Sequence, residues 1–244
     1  MKKAITILMV LCVSVALFAS AGVTFKVGGA FNFVTGGTKD FVVKETTLTN
    51  SASKYTTMGA GFDLAGSFDS SKDLKVWTDL NVVFGFDSKY KLNSAEKWSS
   101  MNELYKEAKE VAGDSAYKKM NTVSAAAGVA YKLNFDAPVD VSVGGGLFFE
   151  RIFGRVGVKE ESYESGIEFK AINLGISLYA DAEYKFNDSF GISLTARPQF
   201  GLYNLTTVTQ VLVISGIDDS TTMKAKGFSF GFSIPVSIGA TFSL

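Results

Sequence analysis

Apolar and polar residues alternate along most of this chain, and this pattern restricts the fold more than any other feature of the sequence. Between residues 74 and 86, for example, positions 74, 76, 80, 82, 84 and 86 are apolar, while 75, 79, 81 and 85 are polar or glycine. A period of two is that of a β-strand with two unlike faces. The sequence predicts an all-β protein of about eight such strands, over residues 23–33, 58–68, 74–86, 122–135, 139–150, 172–186, 190–202 and 228–242.

The connections between these segments alternate in length. Tight turns rich in Asp, Asn, Ser and Pro are predicted at 69–73, 136–138 and 187–189, whereas 35–57, 87–120, 152–168 and 204–224 are long. This alternation is typical of a closed, up-and-down antiparallel transmembrane β-barrel with short periplasmic turns and long outer loops. Within the long segments, Ser100 and Glu103 predict a helix to Ala112 that ends at Gly113, and residues 208–214 predict an extension of the last hairpin.

Alternation alone does not say which face of the sheet is outside, because a soluble barrel that carries an apolar ligand alternates as well. Mean hydropathy is +0.19, yet residues 22–244 contain no run of ~20 apolar residues. The polar face consists largely of small residues, which suit a narrow interior, so the apolar face is predicted to contact lipid. Pro198 and Pro235 each remove a donor from the sheet, which predicts a local distortion there.

The first residues predict a signal peptide. Lys2 and Lys3 precede an apolar stretch over residues 4–18, and Ala19, Ser20 and Ala21 match a cleavage site. We therefore divide the chain into a cleaved segment at 1–21 and a barrel at 22–244. The protein is expected to be exported to the cell outer membrane.

Charged residues are predicted on the inward face, where they form a lumen charge network. Arg197 is expected to form the central pair with Asp181 or Asp63. One interpretation is a plug that satisfies buried charges, and the other is an ion-selective or gated passage. The network comprises Lys26, Asp63, Asp79, Asp181, Glu183 and Arg197, and further inward charges are Lys75, Lys132, Lys185, Asp140 and Glu150.

Catalysis is not expected. The chain has no His, so a general base near neutral pH would need a strongly shifted carboxylate or lysine. Asp63 and Asp79 could form such a site, but structural pairing is the favoured interpretation. The sequence predicts no catalytic residues, no cofactor and no metal site. Balanced charge, with 24 basic and 24 acidic residues, argues against nucleic acid as a partner.

Two similar hairpin starts carry a family resemblance: Tyr131, Lys132, Leu133, Asn134 and Phe135 before one turn, and Tyr184, Lys185, Phe186 and Asn187 before another. With the strand count and loop order, they make the chain resemble the small outer-membrane β-barrel proteins of the OmpA, OmpX and OmpW type. The resemblance implies assembly by the outer-membrane insertion machinery, which recognises an aromatic-ended final strand; here Phe242 is that aromatic. No motif selects one member family, so no ligand residues are carried over.

Two functions are consistent with this sequence. The first is a structural or surface-binding barrel with a mostly plugged polar lumen, in contact with outer-membrane lipid. Its outer loops at 35–57, 87–120, 152–168 and 204–224 would bind an extracellular ligand or a host surface. The alternative is a porin-like channel for small solutes, including hydrophobic compounds, of the OmpW type.

Overall fold

The structure is a computed structural model, and it describes residues 23–43, 46–92, 99–133, 138–227 and 231–243. The predicted signal peptide lies outside these residues. The strands are β1 Val23–Val43, β2 Thr46–Asp69, β3 Leu74–Leu92, β4 Ser99–Ser100, β5 Ala116–Leu133, β6 Val139–Lys159, β7 Tyr163–Asn187, β8 Phe190–Ala196, β9 Gln199–Ile214, β10 Ile217–Asp218, β11 Thr221–Gly227 and β12 Gly231–Ser243. Helix α1 spans Met101–Ala112 and a 3-10 turn follows at Gly113–Ser115.

The sheet closes on itself into an eight-position ring. β8 and β9 are two parts of one strand, and β11 and β12 together occupy the last position, so the ring runs β1, β2, β3, β5, β6, β7, β8/β9, β11/β12. The first and last strands pair antiparallel from Thr24 with Ser243 to Thr35 with Phe232. Closure leaves no open edge along this seam, which a sheet in hydrocarbon requires. The predicted antiparallel barrel is confirmed.

The strands are much longer than predicted. β2 has 24 residues and β7 has 25, whereas about 9–11 suffice to cross a bilayer. Most of the segments predicted as outer loops at 35–57, 152–168 and 204–224 are therefore strand, and 87–120 contains the end of β3, β4, α1 and the start of β5. The loop prediction was wrong there, because the alternation continues but with the apolar residues now facing inward.

Two local predictions are confirmed. Helix α1 begins after Ser100, whose Oγ accepts hydrogen bonds from the backbone N–H groups of Asn102 and Glu103. It ends at Gly113, whose positive φ of 54° suits a residue without a Cβ. The prolines produce the expected distortion between β8 and β9, where Arg197 and Pro198 interrupt the strand. The carbonyl of Pro235 accepts from Arg197 N at 2.9 Å, so the ladder continues through the break.

In the half of the barrel next to the short turns, apolar side chains face outward and charged side chains face inward. Phe62 and Leu147 are 68% and 71% exposed, while Asp63 and Arg197 are each 1% exposed. The predicted orientation of the two faces is confirmed. No helix among the described residues is long and apolar enough to cross a membrane.

Candidate functional site

The lowest layer of the lumen, next to the short turns, contains an ion pair and a ring stack. Lys75 Nζ lies 3.4 Å from Asp181 Oδ2, and Trp77 stacks on Tyr179 with ring centroids 4.5 Å apart. Both contacts join the third strand position to the sixth, so they cross the lumen. The cavity that remains beside them has a volume of only about 20 Å3.

The second layer is built around Arg197. Its guanidinium lies 3.0 Å from Asp63 Oδ1 and also contacts the Asp79 carboxylate. Arg197 projects from the seventh position and Asp79 from the third, so this contact spans the ring between opposite strands. Lys26 completes the layer: its Nζ lies 3.7 Å from Asp63 Oδ2 and donates to Thr195 Oγ1 at 2.5 Å.

The third layer holds a buried carboxylate without a cationic partner among the described residues. Glu150, which is fully buried, accepts hydrogen bonds from Asn173 Nδ2 at 2.8 Å and Asn32 Nδ2 at 3.3 Å. Tyr55 donates to Asn173 Oδ1 at 2.9 Å, and Asn204 donates to the Tyr55 hydroxyl at 2.8 Å. The sequence analysis predicted that Glu150 faces inward but did not predict this layer of amide side chains. Asn residues at inward positions of three strands could have indicated it.

Three buried cationic side chains face five buried carboxylates in these layers. The cationic residues are Lys26, Lys75 and Arg197, and the acidic residues are Asp63, Asp79, Glu150, Asp181 and Glu183. The lumen is therefore more acidic than the nearly balanced set that the sequence suggested. Buried carboxylates that outnumber the cations require neutral hydrogen-bond donors. The Asn side chains are such donors, and so is Thr241, which donates to Glu183 at 2.6 Å.

The structure brings together all six residues of the predicted lumen network, but with one change of partner. Arg197 pairs with Asp63, one of its two predicted partners, and with Asp79, whereas Asp181 pairs with Lys75. Of the other predicted inward charges, Lys75 and Glu150 are buried in the first and third layers. Lys132, Lys185 and Asp140 lie at the turn end of the lumen and are more exposed: Lys132 pairs with Asp69, and Lys185 with Asp140. Among the described residues, no group of three or more His, Cys, Asp or Glu could hold a metal ion.

Above Glu150 the two faces of the wall exchange character. We call this part the far half: residues 34–43, 46–57, 86–92, 99–121, 151–171 and 203–227. Its interior is an apolar cluster comprising Val34, Tyr55, Tyr90, Met101, Met120, Ile152, Val156, Phe169, Ala171 and Val208. Leu104 of helix α1 packs against this cluster, and a cavity of about 460 Å3 lies between the helix and strands β6, β7 and β9.

The outer surface of the far half carries ion pairs between charged side chains. Glu164 on β7 accepts from Lys159 Nζ and Tyr117 Oη, both at 3.0 Å, and contacts Arg155. Burial would raise the pKa of Glu164, but the hydrogen bonds from Lys159 and Tyr117 and the charge of Arg155 outweigh this effect and hold its pKa below the ordinary value. Charged groups paired in this way are typical of a surface in contact with water, in contrast to the exposed apolar side chains of the half next to the short turns.

Comparisons with known proteins agree with this architecture. A family model described as "Domain of unknown function (DUF2715)" matches residues 9–244. The comparison with curated proteins gives no match.

Two solved structures share the fold. The outer membrane protein OprG from Pseudomonas aeruginosa is 8% identical, with 92% of this chain and 97% of that chain covered at a TM-score of 0.52. A major outer membrane protein from Thermus thermophilus is 12% identical, with 88% and 99% covered at a TM-score of 0.53. At this identity the likeness concerns the fold alone, and the predicted resemblance to small outer-membrane barrels is confirmed at that level.

Proposed function

The chain belongs to the DUF2715 family, and on that premise we propose that it is an integral outer-membrane barrel whose lumen is sealed by its own side chains and whose far half binds a partner outside the cell. The sealed lumen is supported above all by the contact of Arg197 with Asp79, which lie on opposite strands of the ring.

The location follows from the apolar belt. In the half of the barrel next to the short turns, large apolar side chains such as Phe62, Phe84, Leu147 and Leu194 are more than half exposed and form an apolar belt. A soluble protein rarely exposes a continuous surface of this kind, whereas a bilayer requires it. The short turns then lie in the periplasm, because outer-membrane barrels place their long ends outside.

The lumen is sealed by the three layers of side chains that cross it one above the other. Lys75 with Asp181, Arg197 with Asp79, and Glu150 with Asn32 each bring together side chains from distant positions of the ring. An ion that crossed the lumen would have to break buried charge pairs, each of which costs several kcal/mol to disrupt (~3–5 kcal/mol). A passage for small ions is therefore not favoured.

The length of the strands would allow the barrel to present a binding surface above the membrane. About ten residues of each long strand extend past the belt, and at ~3.3 Å per residue and a tilt of ~40° they would raise a rigid wall ~25 Å above the membrane. Rigid elements hold a binding surface with less loss of conformational entropy than loops do. The partner would contact this charged wall and its hairpin tips.

Planar-bilayer recording tests the sealed lumen. The refolded wild-type barrel is expected to give no sustained single-channel steps, and sustained steps would overturn the proposal.

Alkaline carbonate extraction of expressing cells tests the location: the chain should stay with the membrane pellet, and release into the supernatant would favour a soluble ligand-carrying barrel.

A second function, binding of a small apolar compound, is favoured by the cavity beneath helix α1. Its walls include Tyr90, Leu104, Val156, Ile167 and Val208. Displacement of 1-anilinonaphthalene fluorescence by apolar compounds would measure it. Val156→Trp should fill the cavity and abolish the signal, whereas Val158→Trp, on the same strand but outside the cavity, should leave it intact.

A further inference from the structure

The lipid-facing wall is not uniformly convex. A groove of about 470 Å3 crosses it, with small side chains at its floor and bulky ones at both rims. Gly66, Thr78, Ala125 and Ala127 form the floor on β2, β3 and β5. The rims are formed by Phe25 and Leu64 on one side and by Leu147, Phe149 and Leu174 on the other.

The groove runs obliquely through the membrane-facing belt. Its residues follow two adjacent rows of paired positions, one through Gly66, Thr78, Ala127 and Leu147 and one through Leu64, Leu80, Ala125 and Phe149. Gly66 lies three residues before the end of β2 at Asp69, but Phe149 lies ten residues after the start of β6 at Val139. Because both of these ends lie at the short turns, the groove rises from the periplasmic side toward the outer face.

An unpaired cation stands at the upper end of this groove. Arg151 is the next outward residue after Phe149 on β6, it is exposed, and it pairs across the sheet with Val123 and Ile172. Among the described residues no carboxylate lies within ion-pairing distance of Arg151, whereas Arg155, Lys159 and Lys170 on the same wall each have one. A guanidinium with apolar neighbours is tolerated on a barrel wall near the interface, at the depth of lipid phosphates.

We propose that this wall holds one anionic phospholipid, with its phosphate on Arg151 and an acyl chain in the groove. This inference rests on the proposed membrane location. Charge complementarity selects the occupant: a phosphate supplies the anion that the described residues do not supply, and the guanidinium fork binds it in a bidentate manner. The groove then continues from the headgroup end into the hydrocarbon, where an acyl chain must lie.

The experiment uses the full barrel refolded into vesicles of phosphatidylcholine containing a minor fraction of phosphatidylglycerol, then extracted with mild detergent for native mass spectrometry. Wild type should retain phosphatidylglycerol over phosphatidylcholine by about fivefold, the effect of one cation near an anionic headgroup. Arg151→Leu should remove this preference. Ala127→Phe, which fills the groove floor, should reduce retention of both lipids.

Matched controls are Arg155→Leu, a cation of the same strand that already has a partner, and Val129→Phe, an outward position next to the groove; both should retain lipid as wild type does. Equal retention of the two lipids by wild type, or a preference that survives Arg151→Leu, would overturn the inference. A cross-linked dimer that Ala127→Phe abolishes would instead identify a second copy as the occupant. Failure to insert, read from the absence of heat-modifiable migration on a gel, would refute the proposed function itself.

Discussion

The guanidinium of Arg197 contacts the carboxylate of Asp79 from the opposite side of the barrel, and both side chains are almost fully buried. The same guanidinium lies 3.0 Å from Asp63, so one cation holds two strands that are neighbours in the sheet against a third that faces them. A buried ion pair adds little stability over an apolar core, but a buried charge that has lost its partner is costly.

Arg197→Met is therefore expected to lower the free energy of unfolding by ~3–5 kcal/mol, because it leaves Asp79 without a cation. In a double-mutant cycle with Asp79→Leu, part of this loss should be recovered, with a coupling energy of ~2 kcal/mol. Urea unfolding in lipid vesicles measures both. Arg155→Met, which breaks a more exposed pair, should cost only ~1 kcal/mol or less; no coupling between Arg197 and Asp79 would contradict the central position of this pair.

Gly28 and Gly29 are adjacent residues, but only Gly28 lies where a Cβ atom has no room. A Cβ at Gly28 would lie 2.2 Å from the carbonyl oxygen of Ile238, whereas a Cβ at Gly29 would meet nothing within 4 Å. Gly28→Ala should force the β1–β12 seam apart and destabilise the barrel by ~1–3 kcal/mol. Gly29→Ala should change stability by no more than ~0.5 kcal/mol. Equal effects of the two substitutions in the same urea assay would contradict a tightly packed seam.

The inward orientation of a strand residue can be predicted from the sequence because period two is a local property. Whether Asp63, Asp79 or Arg197 faces inward depends only on the neighbours in its own strand. Which of them meet depends on the stagger between strands, which no single strand encodes. Asp181 illustrates this: it was a candidate partner of Arg197, yet the register of β7 places it against Lys75.

The far half could not be predicted in the same way, because there the environment of each face changes while the period does not. Ile152 and Val156 face inward and Arg151 and Arg155 outward, which reverses the apolar-outside rule that holds below. Register shifts add to the difficulty. Phe86 is an extra residue in β3 and Leu202 in β9, so the inward positions change parity above them.

Tyr55 connects the amide layer to the apolar cluster above it. Its hydroxyl donates to Asn173 Oδ1 and accepts from Asn204 Nδ2, while its ring packs on Phe169 with centroids 5.2 Å apart. Tyr55→Phe keeps the ring but removes both hydrogen bonds, and should lower the free energy of unfolding by ~1–3 kcal/mol because the amides lose a buried partner. Tyr184→Phe, at an exposed position, is the matched control and should have an effect below ~0.5 kcal/mol. If Tyr55→Phe had the same free energy of unfolding as wild type, the hydroxyl would not contribute to stability.

Glu164 should make the far half sensitive to acid. Burial acts to raise its pKa in the folded state, but the hydrogen bonds from Lys159 and Tyr117 and the charge of Arg155 outweigh burial, so the pKa is lowered. A carboxylate of this kind stabilises the fold above its unfolded pKa, ~4.3, and the stabilisation is lost as the pH falls through the folded pKa. Glu164→Gln should therefore be less stable than wild type near neutral pH, and the difference should disappear as the pH falls through the lowered folded-state pKa of Glu164. Urea unfolding followed with a fluorophore on the β6–β7 hairpin measures this difference at each pH, with Glu161→Gln in the neighbouring turn as the control. A difference between wild type and Glu164→Gln that stays constant across this range would mean that Glu164 contributes through its shape and not through its charge.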